Sequence, residues 1–282
     1  MNSQNFRIAL FAALQALRLQ ELLLERKKQP YGNEEELPEN RQSYRERITH
    51  ELEQSFLEIV ESADIATTFE VGAHEASFSL EISSRRQDID CYAFEANPVV
   101  YNKFRSTIEK KGVIYLNEAI SNRDMQTVFS VPLKDDGKHA KKLGSLSKDN
   151  DFERFNRYTL QASKLDRFKE NIAGNCALWI DVEGHAGEVI EGAAEILESC
   201  VAIYVEMETR QRWENQKTDV TIIEHLLQFG FVPIMRDIQR FNWQYNAVFV
   251  HHSILHQVTN NRILQKWNET VLLPEDHASE IA

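Results

Sequence analysis

The chain has 282 residues, 42% of them hydrophobic, and its 32 Lys and Arg against 44 Asp and Glu give a formal net charge of −12. This composition allows a substantial core, and the length fits one catalytic domain with an extension. Proteins that bind nucleic-acid backbones usually carry the opposite charge, so we expect no nucleic-acid partner. Three scattered cysteines (Cys91, Cys176 and Cys200) without a CxxC pair favour a reducing compartment, the cytoplasm, over a disulfide framework.

Residues 1–62 are predicted to be an N-terminal helical extension. Apolar residues recur with mostly helical spacing between Ile8 and Leu24, and the apolar run is too short to span a bilayer. We therefore expect no stable membrane insertion. The amphipathic helix is expected to pack on its own domain or on a second copy of the chain, which would make a homo-oligomer.

A polar segment with prolines and a glycine predicts a linker over residues 28–42. Beyond it, apolar residues spaced by four predict a helix over residues 41–61 that covers one flank of a sheet. These apolar residues are Tyr44, Ile48, Leu52, Phe56 and Val60.

From Thr67 onward, short β-rich runs alternate with helical stretches such as residues 98–110 and 187–198. Alternation of this kind predicts an α/β fold, a doubly wound and mostly parallel sheet with helices on both faces. The last strand is expected to be antiparallel. The β-rich runs cover residues 67–71, 91–95, 113–117, 177–182, 201–206, 230–235 and 241–251.

Two further segments complete the predicted domain, which spans residues 63–255. Residues 132–157 are polar and long for a connection, which is typical of an active-site loop. Residues 256–282 are predicted to be a C-terminal tail whose last twenty residues are weakly ordered.

Glu70 and Gly72 end the first predicted strand of this domain. Gly72 allows close approach of the backbone to a ligand, and the following helix N-terminus favours an anionic group. The dinucleotide pattern G-x-G-x-x-G needs three glycines, and only Gly72 is present here. The turn therefore favours a nucleoside cofactor such as S-adenosylmethionine over a dinucleotide, although an ordinary strand-ending turn is the alternative.

Glu95 ends the next strand, about twenty residues after the turn, and Pro98 opens the helix that follows. A carboxylate at this distance can accept hydrogen bonds from both hydroxyls of a ribose. The alternative is that Glu95 only caps the helix. After the third strand, Asn117 or Glu118 is a candidate contact to adenine.

The segment from Leu178 to Ala193 carries three ionisable residues directly after an apolar strand: Asp181, Glu183 and His185. Methyl transfer to a hydroxyl needs a base for its proton, and His185 has the most suitable intrinsic pKa. Asp181 would hold the acceptor or orient His185. Capping of the next helix by Asp181 and Glu183 is the alternative. Together with Glu206 on the following strand, Asp181 is also a candidate ligand for a divalent metal.

Four segments together resemble the FkbM-type methyltransferases, which are similar to other class I S-adenosylmethionine-dependent enzymes. The resemblance covers roughly residues 65–250, and its most specific part is Ile180-Asp181-Val182-Glu183-Gly184 followed by Glu191-Gly192-Ala193. The other three segments are Phe69-Glu70-Val71-Gly72-Ala73-His74, Phe94-Glu95-Ala96-Asn97-Pro98 and Glu118-Ala119-Ile120-Ser121.

The resemblance implies a seven-stranded, Rossmann-like sheet that binds S-adenosylmethionine and methylates a hydroxyl of a sugar, glycan or other small natural product. It places the catalytic residues at the end of the Ile180 strand. The cofactor residues that it implies, together with those inferred above, are Glu70, Gly72, Ala73, His74, Glu95, Ala96, Asn117, Glu118, Ala119 and Asp181.

The first turn departs from the family pattern at two positions. The family usually has Asn and then, two residues on, Gly, where this chain has His74 and Ala76. Ala76 adds a Cβ where a glycine lets the ligand approach. A degenerate methyltransferase fold that acts as a binding partner without turnover is therefore the alternative to an active enzyme.

Overall fold

The computed structural model describes residues 14–22, 38–133, 144–146, 155–239 and 243–272. Its main sheet has seven strands in the order β3-β2-β1-β7-β8-β10-β9. Neighbouring strands pair in parallel except where β10 is involved, since β10 runs antiparallel to both β8 and β9. The predicted fold class is confirmed. The strands of this sheet are β1 (Ile65–Val71), β2 (Asp90–Phe94), β3 (Ile114–Leu116), β7 (Asn175–Ile180), β8 (Cys200–Glu208), β9 (Phe231–Arg236) and β10 (Gln244–His251).

Helices pack on both faces of the sheet and form two apolar cores. One face carries α2 (Pro38–Ser62), α3 (Ser77–Arg85), α4 (Pro98–Glu109), α7 (Leu255–Asn260) and α8 (Ile263–Trp267). The other face carries α5 (Ala186–Glu191) and α6 (Asp219–Gln228), and Leu17 of α1 (residues 14–22) joins its core. Within the described residues, no helix is long and apolar enough to cross a membrane.

Helix α2 confirms the predicted stripe, because Ile48, Leu52, Phe56 and Val60 are buried against the sheet and Tyr44 packs beside them. The helix begins at Pro38, so the predicted linker over residues 28–42 is wrong in its last five residues. Proline suits the first position of a helix, where its missing N–H is not needed. The other residues of the predicted linker, 28–37, lie outside the described residues.

The C-terminal tail prediction is also wrong for the residues that the structure describes. Helices α7 and α8, followed by a π-helical turn at Asn268–Leu272, pack on α2. These helices pack on α2 because they carry apolar side chains that become buried there. The buried residues are Val258, Ile263, Trp267 and Val271. Such short helices are held by packing rather than by helix propensity. Residues 273–282 lie outside the described residues.

A second, three-stranded sheet stands beside the main one in the order β4-β6-β5. The predicted irregular segment 132–157 therefore begins and ends in strands, with an isolated bridge between Ser130 and Ser145. Residues 134–143 and 147–154 of that segment lie outside the described residues. The strands of this sheet are β4 (Ala119–Ile120), β5 (Met125–Pro132) and β6 (Phe155–Ser163).

The helix predicted over residues 187–198 is broken into α5 and a 3-10 turn at Ile196–Glu198. The break follows Gly192, which ends α5. A Cβ at Gly192 would lie 2.0 Å from the backbone oxygen of Ser121. The close approach of these two segments therefore requires glycine in the Glu191-Gly192-Ala193 motif.

Candidate cofactor and catalytic site

A cavity of about 550 Å³ opens at the carboxyl ends of β1, β2 and β7. Small-molecule sites typically measure about 300–1,000 Å³. Most of the residues predicted from sequence line this one cavity, whereas Asn117 and the candidate metal ligand Glu206 do not. The predicted residues in its lining are Glu70, Gly72, Ala73, His74, Glu95, Ala96, Glu118, Ala119, Asp181, Glu183 and His185.

Glu70 lies at the end of β1 and is only 3% exposed. Its two carboxylate oxygens accept hydrogen bonds from the backbone N–H groups of Phe78, at 3.3 Å, and of Ser79, at 2.8 Å. Burial raises the pKa of Glu70 to about 7, and the hydrogen bonds from Ser79 oppose this rise. Glu70 therefore ties the end of β1 to the first turn of α3 while it lines the cavity.

Gly72 has φ +83°, and a Cβ there would lie 2.0 Å from the backbone oxygen of Asp181. The neighbouring end of β7 thus requires the glycine, whereas the expected reason from sequence is close approach of a ligand. The backbone N–H groups of Gly72 and Ala73 both donate to the oxygen of Phe94, at 3.0 and 2.9 Å. The turn consequently holds the ends of β1, β2 and β7 together.

His74 and Ala76, where the chain departs from the family pattern, both keep left-handed backbone conformations, with φ 46° and 56°. Ala76 is fully buried, and its N–H donates to the oxygen of Ala73 at 2.6 Å. The hydroxyl of Tyr115 donates to the backbone oxygen of His74. The turn therefore keeps a glycine-like shape although its residues carry side chains, which is a strained arrangement.

Glu95, the predicted ribose acid, is 7% exposed at the end of β2. Its oxygens accept from the N–H groups of His74, at 2.7 Å, and Asn97, at 2.6 Å. Asn97 rather than Glu95 caps α4, because its side chain accepts from Val99 at 3.0 Å. The capping alternative for Glu95 is thus wrong. Burial raises the pKa of Glu95 to about 7, opposed by the two backbone donors.

Asn117 lies outside the cavity lining, whereas Glu118 is part of it. The side chain of Asn117 donates to the backbone oxygens of Glu95, at 2.7 Å, and Ala96, at 3.2 Å. It therefore braces the loop after β2 from outside the cavity. Glu118 lines the cavity and pairs with Arg167 at 2.8 Å. A contact of either residue to adenine stays a prediction.

The three predicted catalytic residues follow β7 and share the cavity wall. The imidazole of His185 is 13% exposed, with Nε2 lying 3.0 Å from the Ser121 hydroxyl and Nδ1 lying 3.7 Å from a Glu188 oxygen. Burial lowers the pKa of His185, so the ring is neutral at pH 7. Sequence spacing does not indicate either partner of His185.

The neighbours of His185 form a longer polar network. Lys217 Nζ lies 2.8 Å from both Glu188 and Glu191, and the side chain of Asn122 donates to Glu191 at 2.9 Å. His185 also lines a second cavity, of about 610 Å³, beside Ser121 and Glu188. The imidazole therefore separates two cavities and is held from the side of the second one.

Glu206 and Glu208 lie at the end of β8, and neither is in the cavity lining. Burial raises the pKa of Glu206 well above its ordinary value, with Asp181 and Glu183 adding to the rise. Burial raises the pKa of Glu208 to about 8, and the charge of Glu183 adds to this rise. Among the described residues, no group of three or more His, Cys, Asp or Glu is arranged to hold a metal ion.

Sequence reasoning missed one wall of the cavity. His50, Glu53, Gln54 and Leu57 of α2 line it, as do Phe78 and Trp179. The Trp179 ring stacks on Tyr204, with centroids 3.7 Å apart, and lies 5.0 Å from Phe78. The spacing of four in α2 predicts its buried stripe but does not indicate which polar residues border that stripe.

A model of the FkbM methyltransferase domain matches residues 70–233, more than half of the chain. The chain belongs to the FkbM methyltransferase family. The match contains the whole sequence from Glu70 through the signature at the end of β7, and it excludes α2 and the C-terminal helices. No curated protein matches this FkbM methyltransferase.

Several solved structures are similar to this chain at low sequence identity. Magnesium protoporphyrin IX methyltransferase from Synechocystis PCC 6803, with bound S-adenosylmethionine, is 9% identical, with 80% of this chain and 90% of that chain covered and a TM-score of 0.42. Precorrin-6y C5,15-methyltransferase from Geobacter metallireducens is 12% identical, with 77% and 92% covered and a TM-score of 0.38. An S-adenosylmethionine-dependent methyltransferase from Clostridium acetobutylicum is 3% identical, with 71% and 91% covered and a TM-score of 0.38. These likenesses are too distant to bear on substrate or mechanism.

The donor set of the cavity fits S-adenosylmethionine, the cofactor of this FkbM methyltransferase. Among the described lining residues there are eight carboxylates and no Lys or Arg. S-adenosylmethionine carries a net positive charge, whereas a dinucleotide brings two negative phosphates that normally meet backbone donors or cations. Glu95 would hold the ribose, and the turn from Gly72 to His74 would approach the methionine portion.

Proposed function

We propose that this FkbM methyltransferase methylates a hydroxyl oxygen of a sugar or a similar small natural product. The observation that carries the proposal is the buried, neutral His185, which lines the cofactor cavity beside Asp181 and Glu183. A hydroxyl becomes a good nucleophile only as its proton leaves, and a neutral imidazole is the side chain best suited to take that proton near pH 7.

The contacts of His185 support a division of roles within the site. The Glu188 carboxylate lies 3.7 Å from Nδ1, too far for a hydrogen bond, so we assign the proton of the neutral ring to Nε2, which leaves Nδ1 as the basic nitrogen. Ser121 lies 3.0 Å from Nε2 and orients the ring. Lys217 in turn fixes Glu188. Asp181 and Glu183 bind and orient the acceptor, so that positioning supplies most of the rate enhancement.

S-adenosylmethionine, when bound, supplies an electrophilic methyl group on a positively charged sulfur. The protein's own residues bind, orient and exclude water. Glu95 accepts hydrogen bonds from the ribose hydroxyls, and the carboxylates of the cavity stabilise the positive charge. The buried thiols of Cys91, Cys176 and Cys200 are consistent with action in the reducing cytoplasm.

The first experiment is a calorimetric titration of S-adenosylmethionine into the wild type and into Glu95→Gln. We expect binding by the wild type and a loss of about 1–3 kcal/mol of binding free energy in the variant, because the hydroxyl partners lose a charged acceptor. Failure of the well-folded wild type to bind would favour the degenerate fold, with His74 and Ala76 as the reason.

The second experiment identifies the atom that is methylated. The protein is incubated with methyl-labelled S-adenosylmethionine and a small-molecule extract, and the labelled product is characterised. We expect an alkali-stable methyl ether, and about a hundredfold slower labelling by His185→Gln. Label on nitrogen or carbon, or cofactor binding without any transfer, would contradict the proposal.

A further inference from the structure

The second cavity, of about 610 Å³, adjoins the cofactor cavity on the side of the second sheet. Its described lining comes from β5 and the turn before it, from the segment around Leu146, from α5 with its N-cap, and from the loop before α6. His185 and Leu146 line both cavities, so the two cavities share a wall.

Strand β5 runs along both cavities. Met125 and Thr127 line the second cavity, whereas Phe129 lines the first. Residues two apart in a strand point to the same face, so one face of β5 leads from one cavity to the other. A molecule that lies on this face can therefore reach the cofactor cavity from the second cavity.

Hydrogen bonds fix the second sheet and the adjoining Ser145 to the segment that follows β7. The Ser121 hydroxyl lies 3.0 Å from Nε2 of His185, and the Ser145 hydroxyl donates to the backbone oxygen of Glu183 at 2.6 Å. The second cavity is therefore held in a fixed position relative to the base, and a site for a reacting substrate requires such fixed geometry.

Two buried atoms of the residues beside this cavity lack hydrogen-bond partners. They are Nδ1 of His185 and Oε2 of Glu188, which lie 3.7 Å apart. Both are acceptors, since the ring proton is assigned to Nε2 and Glu188 forms an ion pair with Lys217 through its other oxygen. Buried acceptors without donors are costly, so this pair of atoms indicates a ligand with two adjacent donors.

We propose that the second cavity binds the methyl acceptor, and that the acceptor presents two adjacent hydroxyls, one to Nδ1 of His185 and one to Oε2 of Glu188. The inference rests on the proposed function, in which His185 is the base. In the transfer, the oxygen of the first hydroxyl gains the methyl group, its proton passes to Nδ1, and S-adenosylhomocysteine leaves. The second hydroxyl stays bound to Glu188 and determines which of the two is methylated.

The charges and the apolar side chains of the described lining favour a neutral ring. Glu188 already has a lysine partner, which leaves Arg123 and Glu214, two exposed residues of opposite charge. Met125 and Leu146 provide apolar surface for the CH groups of a ring. A neutral sugar with vicinal hydroxyls combines apolar ring surface with the two donors.

The test uses protein that is saturated with S-adenosylhomocysteine and labelled on its methionine methyl groups for NMR. Met125 lines the second cavity, whereas Met207 and Met235 are buried in the two cores and serve as internal controls. Three probes are titrated: methyl α-glucopyranoside, vicinal trans-cyclohexanediol and cyclohexanol. We expect the first two to shift the Met125 signal but not the control signals, and to bind about three- to tenfold more tightly than cyclohexanol, which brings a single donor.

Thr127→Trp connects this binding to the second cavity. The indole fills part of the cavity, so binding of methyl α-glucopyranoside should weaken about tenfold or more while that of S-adenosylhomocysteine stays unchanged. Gln126→Trp is the matched control. Gln126 is the neighbouring residue of β5, points to the other face of the strand and is in neither described lining.

Glu188→Gln tests the role of the second hydroxyl. It should weaken binding of the cyclohexanediol about three- to tenfold and leave binding of cyclohexanol unchanged, because it removes a charged acceptor. Glu195→Gln is the matched control, since Glu195 also pairs with a lysine, Lys169, but is in neither described lining.

Equal affinity for the cyclohexanediol and cyclohexanol, no shift of the Met125 signal at millimolar probe concentration, or wild-type binding by Thr127→Trp would overturn the proposal. The wild-type titrations decide it even if Thr127→Trp does not fold. Failure of S-adenosylhomocysteine itself to bind would count against the proposed function instead, so the two failures are distinguishable.

Discussion

Glu95 and Glu208 are both buried carboxylates at the ends of strands, yet their surroundings differ. Glu95 accepts hydrogen bonds from two backbone N–H groups, those of His74 and Asn97. Glu208 has one oxygen without a hydrogen-bond partner, and its surroundings are side chains: Glu183, Gln216 and Arg212. Glu95, in the cavity lining, is thus held by the protein's own backbone, whereas Glu208, outside the described lining, depends on side-chain partners. The predictions below test this difference.

The largest effect is expected at Gly72, where the ends of β1 and β7 meet. Gly72→Ala places a Cβ 2.0 Å from the Asp181 oxygen, on a residue with φ +83°. We expect the free energy of unfolding to fall by about 3 kcal/mol or more, because the ends of β1 and β7 must separate. Urea denaturation measures this change.

Gly174→Ala is the control for that variant, because the nearest neighbour of its Cβ would lie at an ordinary 3.6 Å. A midpoint for Gly72→Ala that matches this control would show that the close approach of the two ends is not required.

A pair of isosteric variants compares the two carboxylates directly. Glu208→Gln should raise the free energy of unfolding at pH 8 by about 2 kcal/mol, because burial raises the pKa of Glu208 to about 8 and the amide has no charge to bury. Glu95→Gln should raise it less, because the amide turns an N–H towards a backbone donor that the carboxylate accepts from, and this offsets the relief of burial. Denaturation at several pH values measures both changes, and an equal or larger gain for Glu95→Gln would remove the distinction.

The stability change caused by Glu208→Gln should depend on pH. The pKa of Glu208 is raised from 4.5 to about 8 on folding, so the native carboxyl holds a proton that the unfolded chain releases between these values. The stability contributed by this group is therefore present at low pH and is lost as pH rises through this window. The advantage of the variant should accordingly disappear near pH 4.

Cofactor affinity should depend on pH through Glu95, whose pKa is about 7 in the free protein. Only the ionised carboxylate accepts from both ribose hydroxyls, so binding weakens once the protonated form dominates. We expect affinity for S-adenosylmethionine to fall roughly tenfold between pH 8 and pH 6. Calorimetry measures this slope, which Glu95→Gln should abolish. A flat profile in the wild type would contradict the assignment of Glu95 to the ribose.

The smallest effect is expected at Ala76, which is buried with φ 56°. Ala76→Gly should raise the free energy of unfolding by up to about 1 kcal/mol, because relief of about 1–2 kcal/mol of left-handed strain exceeds the loss of one buried methyl. Thermal denaturation measures this change. The same substitution at Ala119, in strand β4, should only destabilise. A destabilised Ala76→Gly variant would show that packing of the methyl outweighs strain.

The sequence was sufficient to predict the main sheet, because its strands are apolar and end on charged residues such as Glu70 and Asp181. The second sheet was not predicted. Its strand β6 is half exposed along most of its length, and its many polar residues predict a loop. Helices α7 and α8 are six and five residues long, too short for a helical period to be recognised.

Most of the candidate site could also be predicted, since residues at strand ends converge at one edge of a parallel sheet. The partners of His185 could not, because Ser121 is 64 residues away in the chain and meets His185 only through tertiary packing. Glu53 was missed for a related reason. It lies beside the buried stripe of α2, outside the family match, and no local pattern separates it from the solvent-exposed acids of the same helix.

The packing of α2 has a consequence for synthesis of the protein. Its apolar stripe is covered in part by β8, β10, α7 and α8, which begin about 140 to 200 residues after the helix ends. At about 5–20 residues per second, translation of the last of these elements follows that of α2 by roughly 10–40 s. Phe56 also meets Phe78 of α3, which is made early. The surface of α2 that α7 and α8 cover stays exposed during that time, so α2 is a segment on which a chaperone would act. A chain truncated before α7 should accordingly aggregate, although it would retain every residue of the family signature.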